Sequence, residues 1–569
     1  MSGSLVRSRF PDWLTSRGGA WIALGVAVLV MVVLFGIFGG AQAPARTGQA
    51  PVGSESMQVS ELMEQFPNAD RQSVLVVASR EEGAELSDAD VEALTGLLPE
   101  LDAQAAGESS GPMVSADGRA AVLVAPIAVG ADNTETAEVI KELRGEVSAN
   151  APGGLVLHVT GGPAFGADVA AAFEGADFTL LFATIPMTRG LGVPAALGLL
   201  IALAAVLFVL PPFLAVCGRR VFWPFIPRPG QEANQGRAWR AVSSQVSERP
   251  VASLLVGLAL LAVMATGLFG TSVGLDQLEK FRVQSESATG LETLSAHFPP
   301  GEAQPIWIIT DSGAAGEVAA AASEVEGVVR ARPAGTTDDG SLTKVMVTSE
   351  YSPGTEQSLA QITTLREAVH PIEGADALVG GAVATELDAR AGNEHDLLLI
   401  APLVLAVSFL VLMFLLRSLV APVLLLLVNL ASAVVAIGAG AWLSRVLFGQ
   451  QALDLQVPIL AFLFLVALGI DYTIFLVHRA RTEATRLGTH AGMVEAVAHT
   501  GSVITSAGIV LAAVFAALGV LPLVTLGQLG LIVGIGVLVD TLVVRTVIVP
   551  AIFGLAGDRI WWPGQLHAR

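Results

Sequence analysis

VPILAFLFLVALGIDYTIFLVHR, Val457 to Arg479, is the stretch on which the reading of this chain turns. Its apolar run matches the roughly 20 residues a helix needs to cross a bilayer. Near the middle stands Asp471, followed by Tyr472. An ionisable group at that depth costs about 2.5–3.5 kcal/mol on insertion scales, and such groups serve an ion path, a proton relay or a partner. The plainer alternative is a structural Asp hydrogen-bonded to a neighbouring helix. The stretch runs into His478, Arg479 and Arg481, a basic flank that marks the cytoplasmic side.

Outward from this helix, the composition fits a polytopic membrane protein with water-exposed parts. Of 569 residues, 53% are hydrophobic and 14% charged, against about 25% charged in ordinary soluble domains. The net charge of −20 is unevenly placed. Residues 41–180 hold 22 Asp and Glu against 6 Lys and Arg, and residues 272–396 hold 20 against 7. Two acidic domains are therefore expected on one side of the membrane and short basic loops on the other. No basic stripe suggests nucleic acid. The single Cys217 excludes an internal disulfide and a cysteine metal cage.

The sequence divides as follows. Residues 1–40 read as a cytoplasmic N-terminus and first span; a secretory signal with a cleavage site at Ala41-Gln42-Ala43 is the competing reading. Residues 41–180 read as an extracytoplasmic α/β domain, with strands at Ser73–Ala78, Ala121–Ile127 and Leu155–Val159 and helices at Asp88–Gln104 and Thr134–Ser148. Residues 181–217 read as the remnant of a first-half membrane bundle, 218–249 as a cytoplasmic loop, and 250–271 as the span that opens a second half. Residues 272–396 repeat the α/β pattern, with strands at Pro305–Thr310, Lys344–Thr348 and Ala377–Val379 and helices at Gly316–Val328 and Thr355–His370. Residues 397–553 hold five further spans, and 554–569 form a cytoplasmic tail. Each domain is expected to be a small sheet with helices on one face.

Internal similarity supports two halves. Gly161-Gly162 matches Gly380-Gly381 at an offset of 219, whereas Pro211, Arg220 and Trp223 match Pro550, Arg559 and Trp562 at 339. The second copy thus has about 120 more residues after its glycine pair, the length of four spans at roughly 20 residues per helix plus loops. Eight spans are expected where a symmetric duplication has twelve, with the seam in Phe178–Gly190 and both termini inside.

These motifs resemble the MMPL family of the resistance-nodulation-division (RND) superfamily. The residues that carry the likeness are Gly469-Ile470-Asp471-Tyr472 with Arg479, His499-Thr500-Gly501, Ile504-Thr505-Ser506-Ala507-Gly508, and Gly534-Ile535-Gly536 with Asp540 and Arg545. The resemblance implies a polytopic α-helical membrane protein with two extracytoplasmic α/β porter-like domains. It implies proton-driven export of lipids or other hydrophobic small molecules across the plasma membrane, with protons and the bilayer as further partners. It also implies a relay of two facing Asp-Tyr pairs, of which this chain holds one, Asp471-Tyr472. A shortened, non-transporting relative that binds or assembles with partners is the second reading, and a lipid receptor the third.

Asp471 is read as the proton carrier and Tyr472 as its donor or acceptor. Thr505 and Ser506 could offer hydroxyls to Asp471, or bond back to their own helix. A second copy of the chain is the other source of a partner. Asp540 and Arg545 lie five apart, about 140° round an α-helix, so no direct ion pair is expected. Arg545 is expected to snorkel toward the inner face. No histidine pair has a metal spacing, the Gly-Gly turns lack a P-loop's Lys-Ser/Thr, and no nucleophile triad stands out. Neither a cofactor nor an enzyme activity is expected.

Overall fold

A computed structural model describes residues 18–26, 51–128, 133–172, 201–217, 237–275, 285–519 and 523–564, apart from a few isolated positions inside those ranges. The chain forms two units, Met1–Arg46 with Ala176–Gln235, and Thr47–Gly175 with Gly236–Arg569. In the first unit residues 18–26 are helical, and Ile201–Cys217 is an apolar helix. Its π segment Ala205–Val209 comes just before Pro211, a residue with no N–H to bond an i−4 carbonyl. The rest of the expected first span, the seam at Phe178–Gly190 and the loop from 218 to 236 lie outside the described residues.

The second unit begins with helix α1 (Glu55–Met63) and strand β1 (Arg71–Arg80). Helices α2 (Asp88–Gly96) and α3 (Leu98–Gln104), strands β2 (Ser110–Val114) and β3 (Ala120–Ala128), helix α4 (Asn133–Ala149), strand β4 (Leu155–Thr160) and helix α5 (Gly162–Ala172) follow. The sheet order is β2-β3-β1-β4, and β1 is antiparallel to both of its neighbours. Helices α6 (Arg237–Glu248) and α7 (Pro250–Ala265) precede strand β5 (Ser272–Val273) and helix α8 (Glu286–His297). A second sheet then forms from β6 (Ile306–Asp311), β7 (Val328–Thr336), β8 (Leu342–Ser349) and β9 (Leu378–Gly380), with helices α9 (Ala315–Ser323) and α10 (Glu356–Val369). Its order, β7-β8-β6-β9, repeats that of the first sheet strand for strand.

Two features differ from the sequence reading. Val328 opens a strand and does not end a helix: α9 stops at Ser323, and Gly327, at φ +79°, turns the chain against Tyr351. Helices also cover both faces of each sheet. Val74, Val76 and Leu123 pack under Ile140 and Leu143 of α4, while Val77 and Val122 on the opposite face pack under Leu291 and Leu294 of α8. In the second sheet Ile308 and Val345 face Ile362 and Leu365 of α10, while Ile309 faces Val59 of α1. The sheets therefore exchange helices: α1 serves the second and α8 the first. Strands apolar on both faces need cover on both.

Each exchanged helix is held in the same way. Ser54 caps α1 and Ser285 caps α8. Glu55 Oε1 accepts the Val379 N–H at 2.6 Å, and its Oε2 lies 2.7 Å from Arg366 Nε. Arg366 Nη1 bonds Asp388 at 2.8 Å, and Asp388 accepts the Ser56 N–H at 3.0 Å. On the first sheet Glu286 Oε1 accepts the Val159 N–H at 3.0 Å, and its Oε2 lies 3.3 Å from Arg144. Arg144 bonds Asp168 at 2.6 Å, and Asp168 accepts the Ser287 N–H at 3.4 Å. The approach is close. A Cβ at Gly380 would stand 2.4 Å from Val59 Cγ1.

The membrane part contains α7 and helices α11 (Ala382–Leu416), α12 (Val420–Phe448), α13 (Val457–Leu518), α14 (Val524–Val539) and α15 (Val549–Ala556). Five helices among the described residues are long and apolar enough to cross a membrane: Pro250–Leu268, Ala382–Leu416, Val420–Phe448, Val457–Leu518 and Val524–Trp561. Helix α13 is two arms joined at Gly488, φ +80°, and each arm has a membrane-length apolar stretch. Helix α11 starts at the Gly380-Gly381 turn of the second sheet and continues unbroken to Leu416. Glycines let the bundle close. A Cβ at Gly440 would stand 2.2 Å from Ile532, and one at Gly536 2.2 Å from Leu465.

Candidate functional site

The first arm of α13 carries Gly469, Asp471, Tyr472 and Thr473. Gly469 is at its closest contact: a Cβ there would stand 2.0 Å from Asn429 Oδ1 of α12. The absent side chain lets the Asn429 amide lie on the helix backbone, where its Nδ2 donates to Val466 O at 3.2 Å. Thr473 Oγ1 donates back to Gly469 O at 2.7 Å. The same carbonyl accepts a second bond, from Arg545 Nη2.

Between α14 and α15 the chain leaves α geometry. Asp540–Ile548 is a π-helix. Its i→i+5 bonding brings residues five apart onto one face. Asp540 and Arg545 therefore meet: Arg545 Nε donates to Asp540 Oδ2 at 2.7 Å. This corrects the expectation of opposite faces, which assumed 3.6 residues per turn. Arg545 does not snorkel either. It is 2% exposed and held inside the bundle by Asp540 and the Gly469 carbonyl. Its guanidinium carbon lies 5.2 Å from the centroid of the Tyr472 ring. Asn429, Ser432, Gly469, Tyr472, Gly536 and Asp540 line one small pocket.

Asp471 points elsewhere. It is exposed and makes no hydrogen bond or ion pair among the described residues; its charged neighbour is Arg545. The hydroxyls expected to serve it do not. Ser506 Oγ bonds back to Val503 O at 3.0 Å, and Thr505 Oγ1 is buried beside a cavity that Arg545 also lines. The helical repeat explains this. Thr505 and Ser506 sit one residue apart on the second arm of α13, and the arm presents them to different surroundings.

The buried pair, the glycine-lined contacts and the two matched sheets stand alongside a family match. The MMPL family pattern fits residues 49–180, 170–253 and 285–569, most of the chain. The chain belongs to the MMPL family. It is a multi-pass helical membrane protein of the RND superfamily. This MMPL chain is 31% identical to the putative membrane protein ActII-3 of Streptomyces coelicolor, with 98% of the chain and 96% of that protein covered. That alignment runs over 682 positions against the 569 residues here, so the aligned part of the relative is longer than this chain. The first two matched ranges overlap at residues 170–180. The chain is 32% identical to the apo-petrobactin exporter of Bacillus anthracis, covering 69% of this chain and 56% of that one. It is 33% identical to the probable transport protein MmpL9 of Mycobacterium tuberculosis, over 41% of this chain and 24% of that protein. These names point to transporters rather than enzymes.

Sequence reasoning missed Asn429 in this MMPL chain. The signal was present: it is a lone amide within the 29 residues of α12. A polar group so placed needs a partner helix.

Proposed function

We propose that this chain is a proton-motive-force-driven transporter that exports lipids or other hydrophobic small molecules from the cell. The supporting observation is the placing of two acids at one level of the bundle in different surroundings. Asp540 is committed to Arg545 by a buried ion pair. Asp471, next to Tyr472, is free of any ion pair among the described residues and can exchange its proton without breaking one. Asp471 is the proton carrier, Tyr472 its donor or acceptor, and Asp540 with Arg545 the fixed charges that orient Tyr472. The names of the exporter and transport relatives support the same class of activity. Both acidic sheets face outward and both termini inward, in keeping with the positive-inside rule.

Proteoliposomes loaded with a pH-sensitive dye and carrying a fluorescently tailed phosphatidylglycerol test the reading. An imposed proton gradient is expected to drive lipid probe movement together with proton uptake. Orientation is tested in the same vesicles with Cys217→Ser as background. An impermeant maleimide added outside should label Ser341→Cys and spare Gln245→Cys.

A second reading is a shortened, non-transporting relative that binds partners. The greater aligned length of ActII-3 favours it. Proton flux absent under every imposed gradient would establish it.

A further inference from the structure

Below Arg545, toward the end of the bundle that bears Arg479 and Arg481, lies a second cavity. Thr500, Gly501, Ile504, Thr505, Thr541 and Arg545 are among its lining residues. Two buried polar atoms of that lining have no hydrogen-bond partner among the described residues: Arg545 Nη1 and Thr505 Oγ1. The other lining hydroxyls are committed as donors. Thr500 Oγ1 donates to Ala496 O at 2.8 Å and Thr541 Oγ1 to Val537 O at 2.7 Å, which leaves their lone pairs to accept. An N–H donor, a free hydroxyl and two acceptors are what a buried water requires, since it makes about three bonds. An anion fits less well, because Asp540 already offsets the Arg545 charge. A dry cavity would leave a guanidinium N–H unsatisfied, which is costly in apolar surroundings.

One wall of the cavity is backed from outside. A Cβ at Gly501 would stand 2.9 Å from Trp239 Cγ, so the indole of the amphipathic helix α6 lies on the bare backbone of Gly501. The ion pair of Arg240 with Glu495, 2.8 Å, fixes α6 one residue away.

We propose that this cavity is a water-binding site held by Arg545 Nη1 and Thr505 Oγ1, with Trp239 as its cover. The role of this water as the proton's exit rests on the transport reading above; the water site itself does not. Arg545 orients the water, and the hydroxyls of Thr505 and Thr500 continue the hydrogen-bonded path toward the basic end of the bundle.

X-ray radiolysis reads such a water in place, because hydroxyl radicals formed from a bound water modify the side chains that line its site. The full chain is irradiated in membrane vesicles. Leu476 and Ile504, which line the cavity, are expected to be modified severalfold faster than Val510, which is exposed on the bundle's apolar outside. Trp239→Ala is expected to speed severalfold the appearance of oxygen from labelled bulk water in the Ile504 product. Leu476 and Ile504 modified no faster than Val510 would overturn the water site. An unchanged exchange rate with Trp239→Ala would overturn the cover. Fast modification in a chain that moves no protons keeps the water site and removes the transport reading. Slow modification in a chain that transports removes the water site alone.

Discussion

Glu55 and Glu286 hold equivalent positions on opposite sheets: each starts an exchanged helix and accepts the backbone N–H of an edge-strand valine, Val379 for Glu55 and Val159 for Glu286. Each also meets an Arg whose other partner is an Asp on the helix after that strand. The first of these latches ties α1 to α11, since Asp388 lies near the start of the long helix that continues to Leu416. A movement of α11 is thereby passed to α1 through side chains that are mostly buried.

Replacing Glu55 with Ala removes the acceptor of the Val379 N–H and one partner of Arg366. A hydrogen bond to a charged group contributes about 1.5–3 kcal/mol, or roughly tenfold to a hundredfold in a local opening equilibrium. Hydrogen exchange at Val379 is expected to speed up by that factor while Val159 is unchanged, and Glu286→Ala should do the reverse. Equal responses at both amides to either variant would show that the latches are not separate.

The latches also carry a pH dependence. Burial raises the Asp168 carboxyl, but hydrogen bonds from Arg144 and Ser287 and the Arg144 charge outweigh it, and the net shift is below the ordinary 3.8. Burial likewise raises Asp388, and Arg366 and Ser56 outweigh it, again to a net lowering. A carboxylate depressed in the folded state adds stability above its unfolded pKa and loses it as pH falls through the folded one. Exchange at Val159 should therefore be insensitive to latch protonation from pH 7 down to about 5, once intrinsic rates are corrected, and rise below about 4; the Val379 latch has a further charge partner, since His370 Nε2 lies 2.9 Å from Glu55 Oε1. A rise at Val159 centred at pH 6 to 7 would assign the dependence to other groups.

The buried pair gives a third test. Removing one partner of a buried ion pair costs about 3–5 kcal/mol, because the other charge is left alone, whereas replacing both by neutral groups of like volume is often near neutral. Arg545→Met is expected to lower the unfolding temperature in nanodiscs sharply, and Asp540→Asn with Arg545→Met to recover most of the loss. A double variant no more stable than Arg545→Met would remove the pairing. The π segment makes this contact, and an α-helical count from the sequence could not show it.

How much was legible follows from which interactions are local. The strands at Ser73–Ala78 and Ala121–Ile127 lie inside β1 and β3 because β-branched and apolar runs declare themselves in a few residues. The apolar lengths of the spans did so as well. The helix exchange was not legible. Glu55 and Glu286 look like ordinary first-turn acids, and their partners lie far along the chain. The Asp540–Arg545 contact was misread because the sequence gives no sign of where a helix widens. Asp471 and Tyr472 stand out because a charge in an apolar run is conspicuous, whereas Asn429 and Gly469 act through packing that periodicity does not report.

Asp471→Asn is the variant that bears most directly on the transport reading. The change keeps size and hydrogen-bonding capacity, removes the ability to take up and release a proton, and leaves the Asp540–Arg545 pair in place. Asp471 makes no hydrogen bond or ion pair among the described residues, so the fold should tolerate the change, with a melting curve close to the parent's. Proton-driven movement of the fluorescent lipid should fall to the level of protein-free vesicles, because one lost proton site stops a coupled cycle and does not merely slow it. Tyr472→Phe should give a milder loss, since the ring that packs on Arg545 remains and only the phenolic hydroxyl goes. General acid–base contacts of that kind are worth about a hundredfold or more in rate. Parent-level transport by Asp471→Asn would remove Asp471 from the proton path. The buried acid, Asp540, would then be the group to test next, by Asp540→Asn under the same gradient.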